Sequence, residues 1–155
     1  REHQPSVTYS AAASFLSCVG SFGESGDLVL LRSLRRLLRS GASLIMISFY
    51  IEGVDALLGE FTTKYASDST VTLHTRSSFD VHRHEVVFNQ RIEGEGPDSM
   101  HEIEEERIRL YTANEMRALL AGAGFSRVET FPECKLYGMR RSVDRSGVML
   151  SLASA

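Results

Sequence analysis

The stretch AAASFLSCVGSFGESGDLVLLRSLRRLLRSGASLIMISFY, residues 11–50, decides the fold class. Apolar segments at residues 9–17 and 43–51 flank a segment with the 3.6-residue period of an amphipathic helix. The second apolar segment is continuous and rich in β-branched and aromatic residues, which predicts a central strand buried on both faces. Together they predict a strand–helix–strand unit with parallel strands and a right-handed crossover.

The predicted helix has its own start and stop signals. Asp27 precedes the segment LVLLRSLRRLLRS and is a good N-cap residue. Gly41 follows the segment, at the place where a left-handed cap residue belongs. Leucines and one valine form the predicted apolar face, and arginines form a predicted surface face: Leu28, Val29, Leu30, Leu31, Leu34, Leu37 and Leu38 against Arg32, Arg35, Arg36 and Arg39.

The middle of the chain has a different character. A short helix is predicted at residues 54–61, and an antiparallel meander is predicted at residues 71–111. The meander strands are VTLHTRSS, VHRHEVVFNQRI and HEIEEERIRLYT, with a chain reversal at the glycine- and proline-containing EGEGPDS. The segment EIEEER suits a helix equally well, and that alternative stays open.

The last third returns to an α/β pattern. Thr112 with Glu115 three positions later predicts a capping box at the start of a helix, which Gly122 or Gly124 ends. The predicted inward-facing residues of this helix are Met116, Leu119 and Leu120. A strand at residues 125–131 and a final strand GVMLSLAS complete the prediction.

Composition excludes several classes of protein. The 155 residues suffice for one domain with a single core, and 17 Lys and Arg against 20 Asp and Glu leave a net charge of −3. This balance argues against a surface for nucleic acid or an anionic membrane. No apolar run approaches the roughly 18 residues of a membrane span, and the start lacks a signal-peptide core. Cys18 and Cys134 fit no metal spacing and predict free thiols in a reducing cytoplasm, with one long-range disulfide as the alternative.

Two segments are similar to parts of class I S-adenosylmethionine-dependent methyltransferases. The segment RLYTANEMRALLAGAGFSRVETF resembles one near the family's C-terminus, in which Arg–x–Tyr–Ser/Thr–x–x–Glu–Leu opens a helix that ends in Ala–Gly–Phe. Residues 11–50 resemble the family's fourth strand, its Ser–Phe–Gly loop, the following helix and the fifth strand. They carry Ser40, Gly41 and Ala42 where Pro–Gly–Gly is usual.

The resemblance implies the C-terminal part of a Rossmann-like methyltransferase sheet with an inserted antiparallel β-meander. A single partial domain would comprise a strand–helix–strand unit at 1–52, the insert at 71–111, and a helix with the last two strands at 112–155. The likeness is best to the small-molecule branch, which includes N-methyltransferases of amino sugars. It implies S-adenosylmethionine as cofactor and a small-molecule substrate for N- or O-methylation.

The family's cofactor fingerprint is missing from the sequence. The sequence contains neither a turn of the Gly–x–Gly–x–Gly kind nor an acidic residue placed at the end of a second strand. Because the chain also starts without methionine, we expect it to be the C-terminal half of a methyltransferase. The alternative is a non-catalytic binding or dimerisation module, a homodimer paired through a sheet edge.

The loop after the first predicted strand is the first candidate site. By the resemblance, Cys18, Val19, Gly20 and Ser21 would bind the cofactor. Phe22 would contact the substrate. Glycine at position 20 would allow close backbone approach to a ligand. A plain turn between strand and helix remains the alternative.

Further candidates are aromatic and basic side chains near the predicted strand ends. Tyr50 is a candidate catalytic residue that could orient the substrate, or it could simply pack. His82 as catalytic residue and His84 as substrate contact would share one face of a strand, or that face is solvated. No third ligand accompanies them, so no metal site is predicted. Arg109 as substrate contact and Tyr111 as catalytic residue would line the pocket, or Arg109 forms a salt bridge and Tyr111 packs.

Overall fold

The computed structural model describes residues 8–15, 18–64, 71–94, 100–132 and 148–155. In chain order the elements are β1 (Tyr9–Phe15), α1 (Gly23–Leu37), β2 (Leu38–Phe49), a 3-10 helix (Ile51–Ala56), β3 (Gly59–Lys64), β4 (Thr72–Asp80), β5 (Glu85–Glu93), β6 (Met100–Arg109), α2 (Ala113–Gly122), β7 (Ser126–Phe131) and β8 (Val148–Ser154). Most of the predicted reversal at EGEGPDS, and Cys134, lie outside the described residues.

The central sheet has the strand order β1-β2-β8-β7. β1 pairs parallel with β2, which confirms the predicted strand–helix–strand unit. β8 lies antiparallel between β2 and β7, so that Ile45 faces Leu152 and Leu152 faces Glu129 across the sheet. The resemblance implied this antiparallel last strand.

Both long helices cover the same face of the central sheet. Residues of that face and of the helices form the main core, and Leu31, Leu44, Met46, Met116, Leu120 and Met149 are at most 1% exposed. On the other face Phe15, Ile45 and Phe131 are 64%, 41% and 44% exposed. The prediction that residues 43–51 are buried on both faces is therefore wrong at Ile45, because no helix in the described ranges lies over it.

Helix α1 starts earlier than the sequence predicts. It begins at Gly23, so Asp27 lies inside the helix and is fully buried instead of capping it. Gly41 does have a left-handed φ of 76°, but it lies within β2 and not at the helix end. The helix stops at Leu37 because Leu38 already has extended backbone angles and pairs with β1.

The side chains of α1 also depart from the simple two-face prediction. Val29 and Leu37 are exposed, because the apolar residues cover more of the helix circumference than α2 and the sheet bury. Arg32 and Arg35 donate hydrogen bonds of 3.4 and 3.0 Å to carbonyls of residues 122 and 124, where α2 ends. These arginines therefore satisfy free carbonyls at a helix C-terminus, where cations are favourable.

The second sheet has the order β3-β4-β5-β6 and is antiparallel throughout. The three predicted meander strands are confirmed except at residues 81–84, which form a turn before β5, and EIEEER belongs to strand β6. The helix predicted at residues 54–61 is wrong beyond Ala56, because Phe61 lies in β3 and pairs with Thr75. Val86, Ile108 and Leu110 form a second buried cluster, against which Phe49 of the central sheet packs.

Helix α2 begins with the predicted capping box. The Thr112 hydroxyl accepts from the Glu115 backbone N–H at 3.1 Å, and the Glu115 carboxylate accepts from the Thr112 N–H at 2.8 Å. Met116, Leu119 and Leu120 face inward as predicted. The chain turns at Gly124, which has a φ of 92°.

Candidate functional site

The loop of residues 18–22 joins β1 to α1 at the carboxyl end of the parallel strands. Gly20 attaches this loop to β6, because the Gly20 carbonyl accepts a hydrogen bond from the Arg109 N–H at 2.8 Å. The φ of Gly20 is 109°. A Cβ atom at Gly20 would collide with the carbonyl oxygen of Arg109. The close approach that requires glycine here is thus to the backbone at the end of β6, in addition to any approach to a ligand.

Asp27 anchors the same loop from the side of the helix. Its Oδ2 accepts hydrogen bonds from the Gly20 N–H at 2.9 Å and the Tyr111 hydroxyl at 2.6 Å. Its Oδ1 accepts from the Phe22 N–H at 3.4 Å. Sequence reasoning assigned Asp27 to a helix cap and missed this arrangement. The sequence does contain a signal for its burial: Asp27 lies four residues before Leu31 and therefore on the same, apolar face of the helix.

Tyr111 lies beneath this loop and is 2% exposed. Burial, and then the hydrogen bond to Asp27, raise the pKa of Tyr111 far above that of an ordinary tyrosine. The hydroxyl therefore keeps its proton at neutral pH and is oriented as a donor. Tyr50, which is 1% exposed, forms a parallel bridge with Tyr111, so the two tyrosines predicted at the site do meet.

Arg109 lies above Tyr111. Its guanidinium carbon is 5.2 Å from the centre of the Tyr111 ring, a cation–π arrangement. Its Nη2 is 3.4 Å from a carboxylate oxygen of Glu24 and 3.9 Å from one of Glu115. Desolvation alone would raise the pKa of Glu115, but the hydrogen bonds with Thr112 and the charge of Arg109 outweigh it and lower that pKa.

A cavity of about 220 Å³ lies between the N-terminal half of α1 and helix α2. Its wall is apolar, and Arg109 with two carboxylates forms the charged part; the lining residues are Glu24, Leu28, Arg109, Tyr111, Glu115, Ala118, Leu119 and Gly122. An apolar wall with a few charged groups is typical of small-molecule sites. Arg109 therefore both lines a cavity and forms the salt bridges that the sequence left as the alternative.

The predicted cofactor residues differ in what they present to solvent. Cys18, a free thiol, and Ser21 are exposed, and Phe22 is 63% exposed. Val19 is 4% exposed and belongs to the main core, so only its backbone is available to a ligand. Beside Gly23, the first residue of α1, a Cβ atom would meet no atom within 4 Å. The loop and this helix start thus form one open wall.

The two histidines do not share a strand, so that prediction is wrong. They lie in the turn of residues 81–84, which Asp80 closes by accepting hydrogen bonds of 3.0 and 3.1 Å from the N–H groups of His82 and Arg83. His84 has a φ of 55°, and its carbonyl accepts from Leu110 at 2.7 Å, next to Arg109. The side chain of His82 is exposed. Among the described residues no group of three or more His, Cys, Asp or Glu could hold a metal ion.

A larger open cavity of about 510 Å³ lies on the second sheet. It is lined by polar side chains of β3, β4 and β5, several of them already paired, such as His74 with Glu93 at 2.9 Å. None of the predicted site residues lies in it. The strand ends around the loop of residues 18–22 are therefore the candidate site.

No family model and no curated protein matches the sequence. The structure is similar to the CcbJ methyltransferase from Streptomyces caelestis, with a TM-score of 0.69 and 17% identity over 100% of this chain and 60% of that one. It is similar to CalS10, an amino pentose methyltransferase from Micromonospora echinaspora, with a TM-score of 0.65 and 16% identity over 99% of this chain and 61% of that one.

A third similar structure is an S-adenosylmethionine-dependent methyltransferase from Clostridium acetobutylicum. The TM-score is 0.66, with 12% identity over 99% of this chain and 61% of that one. The chain thus has the class I methyltransferase fold and spans about three-fifths of the length of these structures. In the described ranges no helix combines the length and apolarity that crossing a bilayer demands.

Proposed function

We propose that the chain is part of a methyltransferase that uses S-adenosylmethionine to methylate a small molecule at nitrogen or oxygen. The observation that supports it is the match of at least 99% of this chain to solved methyltransferases, one of which, CalS10, is an amino pentose methyltransferase. One of these structures, CalS10, is described as bound to S-adenosylmethionine. The arrangement of the strand ends in this chain is compatible with that chemistry.

The cofactor wall in this proposal is the loop of residues 18–22 with the start of α1. These residues suit S-adenosylmethionine because the space beside Gly23 is open and the side chains of Cys18 and Ser21 are exposed. Val19 and Gly20 are buried and offer only backbone groups to a ligand. S-adenosylmethionine supplies a methyl group on a positively charged sulfur and leaves as S-adenosylhomocysteine. The task of these residues is to hold one side of the crevice and exclude water from it.

Substrate contacts are proposed for Phe22, His84 and Arg109. Phe22 offers an exposed aromatic face beside the loop, and Arg109 stands at the cavity between α1 and α2. Tyr50 and Tyr111 would orient groups at the strand ends and would not remove a proton, because both are buried and the Tyr111 hydroxyl donates to Asp27. His82 remains the proposed proton acceptor, since an imidazole commonly serves as general base near neutral pH.

A second candidate function is a non-catalytic binding or dimerisation module with this fold. The exposed apolar side chains of Phe15, Ile45 and Phe131 favour it, together with β1, which has no partner on its outer edge among the described residues. A homodimer in the cytoplasm would cover this face. Unpaired strand edges are frequent pairing sites for a second chain.

Calorimetric titration separates the two candidates. S-adenosylmethionine and S-adenosylhomocysteine are titrated into the 155-residue chain and into the longest polypeptide that its gene encodes around it. Binding to either polypeptide is the expected result. If neither polypeptide binds either compound, the enzyme proposal is contradicted and the binding or dimerisation module remains.

A pair of variants locates the binding. Cys18→Phe adds bulk to the exposed loop and is expected to weaken binding at least tenfold. Val29→Phe adds similar bulk to a residue of α1 that is 62% exposed and is expected to leave binding unchanged. Equal effects of the two variants would place the cofactor elsewhere.

A further inference from the structure

We propose that Asp27 is a positioning residue of the candidate site, whose carboxyl group holds the loop of residues 18–22 and Tyr111 in one fixed arrangement. The inference rests on the proposed function in one respect: the arrangement that Asp27 holds would set the shape of the cofactor wall. Asp27 lines neither the cavity between α1 and α2 nor the exposed surface of the loop. It would therefore act through the groups that it binds.

The donors to Asp27 come from both sides of the exposed part of the loop. The N–H groups of Gly20 and Phe22 point to the two oxygens of the same carboxyl group. Ser21 lies between them, so the backbone on either side of this exposed residue is tied to α1. The carbonyl of Gly20 is tied in turn to the N–H of Arg109. A loop held at these points has little freedom to move relative to the helix.

The third donor connects the loop to the cavity. The Tyr111 hydroxyl reaches the oxygen that also binds Gly20. The Tyr111 ring supports the guanidinium of Arg109, which extends to Glu24 on the opposite side of the cavity. Asp27 therefore fixes the loop directly and the cavity's charged rim through Tyr111.

The chemistry of the position calls for a carboxyl group. Asp27 is 0% exposed, and a buried carboxyl is costly unless its oxygens are hydrogen-bonded. All three of its neighbours are donors, so an asparagine would direct its own amide donors at one of them. A leucine at this point of the helix would leave the buried N–H of Gly20 and the Tyr111 hydroxyl without their acceptor. The position is therefore explained by the donors that converge on the carboxyl group.

The test measures loop mobility directly. A nitroxide label is placed on Cys18 in a Cys134→Ser background, and its spectrum is recorded for the parent chain, Asp27→Asn and Tyr111→Phe. We expect the label to be clearly more mobile in Asp27→Asn. Tyr111→Phe should show a smaller change, because the N–H bonds of Gly20 and Phe22 remain. Asp55→Asn, at an exposed aspartate of the 3-10 helix, is the matched control.

Binding of S-adenosylhomocysteine to unlabelled protein gives the functional readout. Asp27→Asn is expected to weaken it at least tenfold and Asp55→Asn to leave it unchanged. An immobile label in a folded Asp27→Asn chain would overturn the proposal. If neither the 155-residue chain nor the longer polypeptide binds cofactor, the proposed function fails, while label mobility still decides the role of Asp27.

A measurement on the unmutated chain covers the case in which Asp27→Asn does not fold. Hydrogen exchange by NMR should show the amide of Gly20 protected at least a hundredfold relative to an exposed loop amide. In Tyr111→Phe this protection should persist. A Gly20 amide that exchanges as fast as an exposed one would refute the proposal.

Discussion

The hydroxyl of Tyr111 donates a 2.6 Å hydrogen bond to the carboxyl of Asp27, a residue 84 positions earlier in the chain. Asp27 lies in the second turn of α1, and Tyr111 lies between the inserted sheet and α2. This contact joins the strand–helix–strand unit to the segment that follows the insert.

Removing the Tyr111 hydroxyl should change the alkaline stability of the chain. An unfolded tyrosine ionises at an ordinary pKa of 10.0, whereas Tyr111 keeps its proton in the fold because its pKa is raised. The unfolded state therefore loses a proton first, and stability falls as pH rises above 10. Tyr111→Phe should remove up to ~1.4 kcal/mol per pH unit from this slope. Urea unfolding between pH 8 and 11 measures it, and parallel slopes would argue against a protonated, buried Tyr111.

Replacing Gly20 should be far more damaging than replacing another glycine of positive φ. Gly20→Ala combines backbone strain with a collision against Arg109 and is expected to cost roughly 3 kcal/mol. Gly41→Ala is the control, because its φ is 76° but a Cβ there meets no atom within 4 Å. It should cost about 1 kcal/mol. Denaturant unfolding gives both values, and equal costs would mean that the loop does not pack on Arg109.

The capping box of α2 offers a mild, local test. Thr112→Ala removes the hydroxyl that accepts from Glu115 and should lower the free energy of unfolding by about 1 kcal/mol. Thr112→Ser keeps an acceptor at the same place and should cost only a small part of that. Thermal unfolding monitored by circular dichroism compares the two. A serine variant as unstable as the alanine variant would point to packing of the methyl group instead.

The exposed apolar face should make the isolated chain associate with itself. Phe15 is 64% exposed at the end of the edge strand β1, and a lysine there should oppose both apolar contact and strand pairing. Phe15→Lys is expected to reduce the average mass in concentrated solution. Val29→Lys, on an exposed position of α1, should not. Analytical ultracentrifugation over a range of concentrations measures the average mass of all three chains. A parent chain that stays monomeric would contradict the expectation.

Most features whose hydrogen-bond partners are close in sequence can be predicted from local sequence patterns. The capping box of Thr112 and Glu115 and the parallel unit around α1 follow from spacing and periodicity alone. The turn at residues 81–84 was missed, although Asp80 is an acid of the kind that closes turns by binding backbone N–H groups. The pattern of alternating side chains around His82 was read as a strand instead.

Distant partners explain the remaining differences. Asp27 suits a helix cap in every local respect, and only the contact with Tyr111 shows why it is buried within the helix. Strand β3 was missed because it is stabilised by pairing with β4 and by the Ser77 hydroxyl, which donates to carbonyls of Leu57 and Gly59. The exposure of Ile45 depends on which face the helices cover, and a continuous apolar run carries no information about that.

The position of β8 between β2 and β7 has a consequence for how the chain is made. β2 and β7 have no bond to each other within the described residues, and β8 alone joins β7 to the pair of strands β1 and β2. During synthesis, both would emerge from the ribosome well before the strand that links them. The cell must therefore tolerate a nascent chain with an open sheet until residues 148–154 arrive, and removal of that short segment would leave β7 without a strand partner among the described residues.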